Sequence, residues 1–502
     1  MSQIRRQSII STLIIFIGIG IGFLNNLFFT KTGWFTPDQY GLTRSFFDFS
    51  QIIFAYSFLG LSAVIYKFSP YYKAHLADKE NDLLSWALLF STVGFILFLS
   101  MGIAFKPFFE RKFFANSKIL VDYYYWIYPF GFALLIFSLL ESYCWSLKRT
   151  VISTFLKETV LRIITSVLIL LFLFHVINYD TFIKLFACMY GILVLTLFIY
   201  LKKNNLLHLT FKISKVTRRL KPKLITFGLF VFAGVAISTT AALSDSLTIS
   251  SKLGQTAIGI FAFSTYISNI IQIPQRSVVA ISVPVLSEAW REKNYAAIER
   301  LYKRSSINLL LISLFLFGNI WLCYDDAIAA FALNPIYLQG KFVVFFFGLK
   351  LIVDMGTGVN GQIISTSNFW RFDFLTGIIL LLLIAPLNYF LISKIGIIGA
   401  GISNLAAYTI YNSTRLIFLW KKFKMQPFSV KSLWAIVMAP VLYVITYFAL
   451  RHLHGWPGII CKGILFSSLF IAAAFYLNLT PDALPVLNTL KKRLGIKADS
   501  AV

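Results

Sequence analysis

The chain has 502 residues, of which 58% are hydrophobic and only 13% charged. That balance leaves too little polar surface for a soluble domain of this length. Apolar runs of about 20 residues, the length at which a helix crosses a bilayer, recur from end to end and define an all-α polytopic membrane protein. The net charge of +26 invites a nucleic-acid reading. It is set aside because Lys and Arg sit mostly in short loops between the apolar runs, as the positive-inside rule expects. The four cysteines (Cys144, Cys188, Cys323, Cys461) are far apart, without metal-ligand spacing, and read as packing residues.

About fourteen spans are predicted in chain order: near 8–29, 43–67, 83–105, 121–146, 151–177, 180–201, 224–250, 256–286, 305–323, 341–367, 372–393, 397–420, 432–450 and 458–477. The first run is too long for a signal peptide and lacks a small-residue cleavage site, so it reads as a retained helix. With Arg5 and Arg6 on the cytoplasmic side, the basic-rich loops fall on that side too. They include Lys67 to Lys79, Lys148 with Arg149, Lys202 to Lys223, Arg291 to Arg304, Lys421 to Lys431, and the tail with Lys491, Lys492 and Arg493. The main exception is Lys106 to Lys118, an outer loop whose Glu110 offsets only part of its charge. An even number of spans then puts both termini in the cytoplasm.

The longest loop, 202–223, separates six spans from six more, and the ends of the second and eighth spans resemble each other. Each apolar run closes with a proline, Pro70 or Pro284, and continues into a charged segment. The expected organisation is a six-helix lobe over 1–201, a basic cytoplasmic linker over 202–223, a second pseudo-symmetric six-helix lobe over 224–420, and a helix pair with a basic tail over 421–502.

Four stretches carry a family resemblance. Asp245 is followed by Ile258-Gly259-Ile260, and Pro284-Val285-Leu286-Ser287 closes the eighth span. Gly358-Val359-Asn360 precedes Ser367-Asn368-Phe369-Trp370-Arg371, and Leu387-Asn388-Tyr389 leads into Gly396-Ile397-Ile398-Gly399-Ala400-Gly401. Together, in order and over nearly the whole chain, they resemble the polysaccharide-flippase branch of the multidrug/oligosaccharidyl-lipid/polysaccharide exporter superfamily. Trp370 stands where that branch usually has Tyr. The resemblance implies alternating access between two lobes in a bacterial inner membrane. It also implies transport of an undecaprenyl-diphosphate-linked oligosaccharide, of the O-antigen or lipopolysaccharide repeat-unit class, from the cytoplasmic to the periplasmic leaflet.

Ionisable side chains inside apolar spans are functional candidates by default. Arg276 lies eight residues before Pro284, about 12 Å along a helix and too deep to snorkel comfortably. It either pairs with Asp245 or Asp354, or it forms a cationic cavity wall that meets a diphosphate, for which its planar fork is suited. Arg44 with Asp48, and Lys350 with Asp354, are placed to line the same space. Lys350 and Asp354 are also four apart and could be a simple helix-face pair. Glu158 and Arg162 share that spacing and read as self-compensating. Asn25 and Asn26 offer amides either to neighbouring helices or to a sugar, and Gln272 and Asn360 complete the candidate lining.

Phosphate-loop, serine-hydrolase and zinc-protease motifs are absent, so no enzyme, cofactor or metal is expected. The expected partners are the membrane, the lipid-linked oligosaccharide, Na⁺ or H⁺ as coupling ion, and a polysaccharide polymerase. The rival reading is a cation-coupled small-molecule or multidrug antiporter using Asp48, Asp245 and Asp354. A membrane glycosyltransferase or ligase would need larger outer loops than these.

Overall fold

The computed structural model describes the backbone of residues 3–482 and the side chains of 13–482. The side chains of Arg5 and Arg6 and the basic tail with Lys491, Lys492 and Arg493 lie outside the described residues. Among the described residues the regular structure is helical throughout, without a strand. Packing divides the chain into two compact units, 1–260 and 261–502.

Unit 1 opens with α1 (Gln3–Thr30), α2 (Pro37–Ser57), α3 (Leu61–His75) and α4 (Leu83–Ala104). Two short helices, α5 (Lys106–Phe113) and α6 (Lys118–Asp122), lead to α7 (Ile127–Ser146). A segment of α8 (Thr150–Phe155), a π-helical turn (Leu156–Val160) and α9 (Leu161–Leu173) follows, then α10 (Tyr179–Lys203) and the long α11 (Lys215–Lys252). α12 (Gln255–Asn269) spans the division between units. Unit 2 continues with α13 (Ile273–Arg291), α14 (Tyr295–Ala330), α15 (Lys341–Gly356), α16 (Asn360–Ser365), α17 (Trp370–Ile395) and α18 (Ile397–Phe423). A final pair, α19 (Val430–Ala449) and α20 (Gly455–Tyr476), packs on α14.

Among the described residues ten helices are long and apolar enough to cross a membrane, twelve if each bent pair counts as one span. The chain is a multi-pass membrane protein. The fourteen expected spans exceed that number because two helical stretches are too polar. The α8–α9 segment carries Lys157, Glu158 and Arg162, and α18 carries Asn404, Asn412 and Arg415.

The two bent pairs are α2 with α3, at 51°, and α12 with α13, at 52°. Neither bend falls at the proline that the sequence singles out: Pro70 lies inside α3 and Pro284 inside α13. A buried-in-helix proline removes one backbone bond without ending the helix when neighbouring packing supports it. The first bend sits instead at Leu59 and Gly60, both with positive φ. Gly60 has φ +74°, and a Cβ there would lie 2.1 Å from the Gly228 carbonyl oxygen of α11. Only glycine satisfies both constraints. Gly60→Ala is therefore expected to lower the thermal midpoint of the purified protein and its monodisperse yield on size-exclusion chromatography.

α2 starts at a capping box in which Gln39 N donates to Thr36 Oγ1 and Thr36 N to Gln39 Oε1, with Pro37 in the first turn. α11 is tied to the start of α4 through the buried Asp82 carboxylate, which accepts from Ser214 N at 2.9 Å and Thr217 Oγ1 at 2.8 Å. Val64, Ile65, Tyr72, Leu84, Leu139 and Leu220 then join α3, α4, α7 and α11 in one core. Outward faces stay apolar, as with Leu97, Leu382 and Phe448. That is expected where the solvent is hydrocarbon and helix association rests on close packing and interhelical hydrogen bonds.

In unit 2, α20 is pinned to α14 by a buried ion pair: Lys462 Nζ donates to Asp326 Oδ2 at 2.6 Å, with both side chains under a tenth exposed. Gly455 N donates to the other oxygen of Asp326 at 3.2 Å. At the opposite end, Arg304 and Asn308 of α14 hold Asp482. The Arg304 hydrogen bond keeps the Asp482 carboxyl below its usual range.

Candidate functional site

A polar cavity of about 420 Å³ lies within unit 2. Three local features build it. The bend after α12 restarts the chain at α13 with Pro274 in its first turn, which puts Gln272, Gln275, Arg276 and Val279 on one helical face. α15 ends at Gly356, the chain turns at Gly358, with φ +65°, and α16 then returns Asn360, Gly361 and Gln362 to the wall. α18 contributes Tyr408, Tyr411 and Arg415, again at helix-face spacing.

The polar groups are arranged unequally. Asp354 of α15 accepts from Asn412 Nδ2 at 3.0 Å and from Gln275 Nε2 at 3.3 Å. Asn412 Oδ1 in turn accepts from Asn360 Nδ2 at 3.1 Å and Thr357 Oγ1 at 3.2 Å. Asp354 is thus held by amides rather than by an arginine. The alternative pairing of Arg276 with Asp354 is not made. Arg276 is exposed on the cavity wall, and within its unit it forms no ion pair among the described residues. The i,i+4 pair of Lys350 with Asp354 is likewise not formed, because the Lys350 ammonium lies over the Tyr408 ring at 3.9 Å.

Arg415 is anchored. Its guanidinium pairs with Asp373 of α17, Nε donates to Thr376 Oγ1 at 3.3 Å, and its carbon sits 3.9 Å from the Tyr411 ring centroid. Gly361 permits this approach: a Cβ there would stand 2.8 Å from Arg415 Nη1. With Lys350 behind Tyr408 and Asp373 behind Arg415, three cations meet two carboxylates. The only one of the three cations without a π-face or carboxylate partner among the described residues of unit 2 is Arg276. Gln275 Oε1 is buried with no hydrogen-bond partner among the described residues.

Of the sequence candidates, Arg276, Gln272, Asn360 and Asp354 come together here, with Lys350 immediately behind. The others belong to unit 1 and are engaged in its helix contacts. Asn25 Nδ2 donates to the Arg162 carbonyl at 2.9 Å and Asn25 Oδ1 accepts from Ser166 at 2.6 Å, joining α1 to α9. Asn26 Oδ1 accepts from Tyr40 at 2.6 Å while its amide nitrogen returns to Gly22. Both asparagines are helix-joining groups in this structure, not free amides. Arg44 pairs with the buried Asp48 at 3.1 Å and Arg162 with Glu158 at 2.9 Å, while Lys157 bonds Glu141 at 3.1 Å across helices. Asp245 is buried in α11.

Sequence reasoning missed Arg415, Gln275, Tyr408, Tyr411 and Asp373. Arg415 carries the signal that marks Arg276, a guanidinium inside an apolar run, but the nearby Lys421 and Lys422 make it look like a loop flank. The two tyrosines share the Arg415 face by helical spacing, but nothing in the sequence says that this face meets a cavity.

No family model and no curated relative matches the sequence. Solved structures do match over most of its length. The lipid II flippase MurJ, in an inward closed conformation, aligns with TM-score 0.73 at 16% identity, covering 94% of this chain and 99% of that one. The chain has the MurJ/MATE fold. An inward-facing multidrug resistance MATE family transporter of the MOP superfamily aligns at TM-score 0.64 and 14% identity, over 82% of this chain and 94% of its own. A MOP superfamily transporter from Pyrococcus furiosus, described by a binding pocket of reverse polarity that suggests a different function, aligns at 0.57 and 13%, over 84% and 96%. At these identities the likeness carries the fold, and substrate must be argued from the cavity's own residues.

Proposed function

We propose that the chain is a non-enzymatic flippase that moves an undecaprenyl-diphosphate-linked oligosaccharide from the cytoplasmic to the periplasmic leaflet, for polysaccharide biosynthesis. The observation that carries this reading is Arg276, an exposed guanidinium on a cavity wall with no carboxylate partner in its unit. A guanidinium that faces a cavity without a carboxylate partner is free to take an anion, and a phosphate offers its planar fork a bidentate acceptor. Tyr408 and Tyr411 offer flat faces and Gln272, Gln362 and Asn360 lie beside them on the wall. That mixture suits a sugar attached to phosphate. The MurJ likeness supports a lipid-linked substrate by analogy only.

On this reading two six-helix lobes, divided at 202–223, alternate access, with the pair over 421–502 added. Both termini are cytoplasmic in a bacterial inner membrane. Na⁺ or H⁺ is the coupling ion, and a polysaccharide polymerase consumes the product. Arg44, Asp48 and Asp245 remain proposed functional residues of unit 1.

A second reading, a cation-coupled multidrug antiporter, is favoured by Asp354, whose carboxylate faces the same cavity between two amides. Deletion in cells separates the two. The flippase reading expects loss of surface polysaccharide with lipid-linked repeat units accumulating inside. Sensitivity to cationic dyes with normal polysaccharide would favour the antiporter instead. Asp354→Asn in the purified protein sharpens the distinction. Removing a negative charge from a diphosphate site should leave headgroup affinity unchanged or tighter, read by titration calorimetry with a prenyl-diphosphate sugar. The antiporter predicts loss of dye efflux in the same variant.

A further inference from the structure

Lys350 stands within the apolar helix α15, half-buried and off the wall of the polar cavity. It forms no ion pair among the described residues of unit 2, since Asp354, one turn further on, is held by Gln275 and Asn412. Its ammonium goes to rings instead, 3.9 Å from the centroid of Tyr408 and 5.9 Å from that of Phe347. The close approach of α15 to α18 sets this contact. A Cβ at Gly401 would lie 2.8 Å from the Phe346 Cβ, and Lys350 and Tyr408 follow those two residues at helix-face spacing.

Tyr411 is used in the same way. The Arg415 guanidinium, one turn along α18 and paired with Asp373, sits 3.9 Å from its ring centroid. The two tyrosine rings meet edge to face, with centroids 5.9 Å apart and planes at 72°, which draws on the same π-density. Aromatic rings hold an organic cation through their negative faces. Both tyrosines of this wall already give that face to a cation of the protein. A second cation brought to either ring meets the first in surroundings that screen charge poorly, whichever face the first one takes. Asp354 is the carboxylate on the wall, against Arg276 and Arg415, among the described residues of unit 2. With Lys350 and Asp373 behind the wall, three cations still meet two carboxylates.

We infer that Lys350, acting through Tyr408 rather than on substrate, sets the charge selectivity of the cavity. It takes up the ring face that a cationic ligand would use, so the wall admits neutral and anionic groups in preference to cations. A sugar stacks on a ring through contact area and asks for no charge from it. The device rests on the reading of this cavity as the substrate site, and there it excludes the cations that an antiporter would carry.

The test titrates the full chain in detergent with tetraphenylphosphonium and with its anionic isostere, tetraphenylborate, read by calorimetry. The wild type should bind the phosphonium weakly. Lys350→Met should tighten it by about tenfold, the worth of one partly desolvated cation–ring contact, with no gain for the borate. Lys350→Gln should give the same gain, and keeps the test open if the methionine variant does not fold. Lys350→Arg, which returns a cation to the ring, should bind the phosphonium as weakly as the wild type. Adding Tyr408→Leu to Lys350→Met should take the gain away. A lysine that only packs the helices would shift both ions alike, and that result would overturn the inference. So would the absence of a gain, or a gain that survives Tyr408→Leu. The flippase reading is scored separately, by titrating the wild type with a prenyl-diphosphate sugar. If that sugar does not bind while the phosphonium gain is seen, the flippase reading falls and the selectivity of Lys350 stands.

Discussion

Arg276→Ala should reduce affinity for a prenyl-diphosphate sugar by about thirtyfold, the worth of about one charged hydrogen-bonding partner. Flipping activity should fall at least as far. The reason lies in how the other cations are used. Arg415 is already tied to Asp373 and Tyr411, and Lys350 is already stacked on Tyr408. Neither can swing to replace Arg276 without breaking those contacts. Arg276→Lys should recover part of the loss, because a point charge attracts phosphate without the bidentate fork. Since Arg276 is exposed and unpaired within its unit, the alanine variant should fold with an unchanged thermal midpoint. A variant that binds and flips normally would remove Arg276 from the site. A variant that fails to fold would show that its role is packing.

The largest stability effect is expected at Asp326 and Lys462. Both side chains are under a tenth exposed and their contact is 2.6 Å. Asp326→Ala leaves the Lys462 ammonium buried without its carboxylate, and breaking a buried pair in this way costs about 3–5 kcal/mol. Detachment of α20 from α14 should follow, seen as a lower unfolding midpoint and as new protease sensitivity around 450–455. The double variant D326L/K462M should regain much of the loss, because replacing both charges by apolar groups of similar size is often neutral. If Asp326→Ala alone is neutral, the pair is not what holds the C-terminal helices.

The fold was largely legible because bilayer length and apolar composition leave few solutions to a chain of this kind. The two helical stretches too polar to count among the apolar helices carry informative residues, Glu158 and Arg162 in one and Asn412 and Arg415 in the other. Legibility of the site followed a single rule: a charge in an apolar run attracts attention, as Arg276 and Asp354 do. What the rule cannot give is partnership. Asn25 reaches Arg162 and Ser166 across 137 and 141 positions, and Lys462 reaches Asp326 across 136. Such pairs depend on which helices the fold makes neighbours. The same limit explains why Lys350 and Asp354, one turn apart, looked like a pair. Tyr408 and Asn412 arrive from α18 and separate them. The bends fall at neither Pro70 nor Pro284. Proline marks a missing donor, whereas the actual breaks fall where Leu59 and Gly60 adopt positive φ and where the turn at 270–272 precedes α13.

Transfer of a fluorescent prenyl-diphosphate-linked oligosaccharide between leaflets of proteoliposomes tests the central claim most directly. The account predicts protein-dependent movement that Arg276→Ala abolishes and Asp326→Ala reduces only through loss of folded protein. No movement of the lipid-linked sugar, together with ion-driven uptake of a cationic dye that requires Asp354, would contradict it.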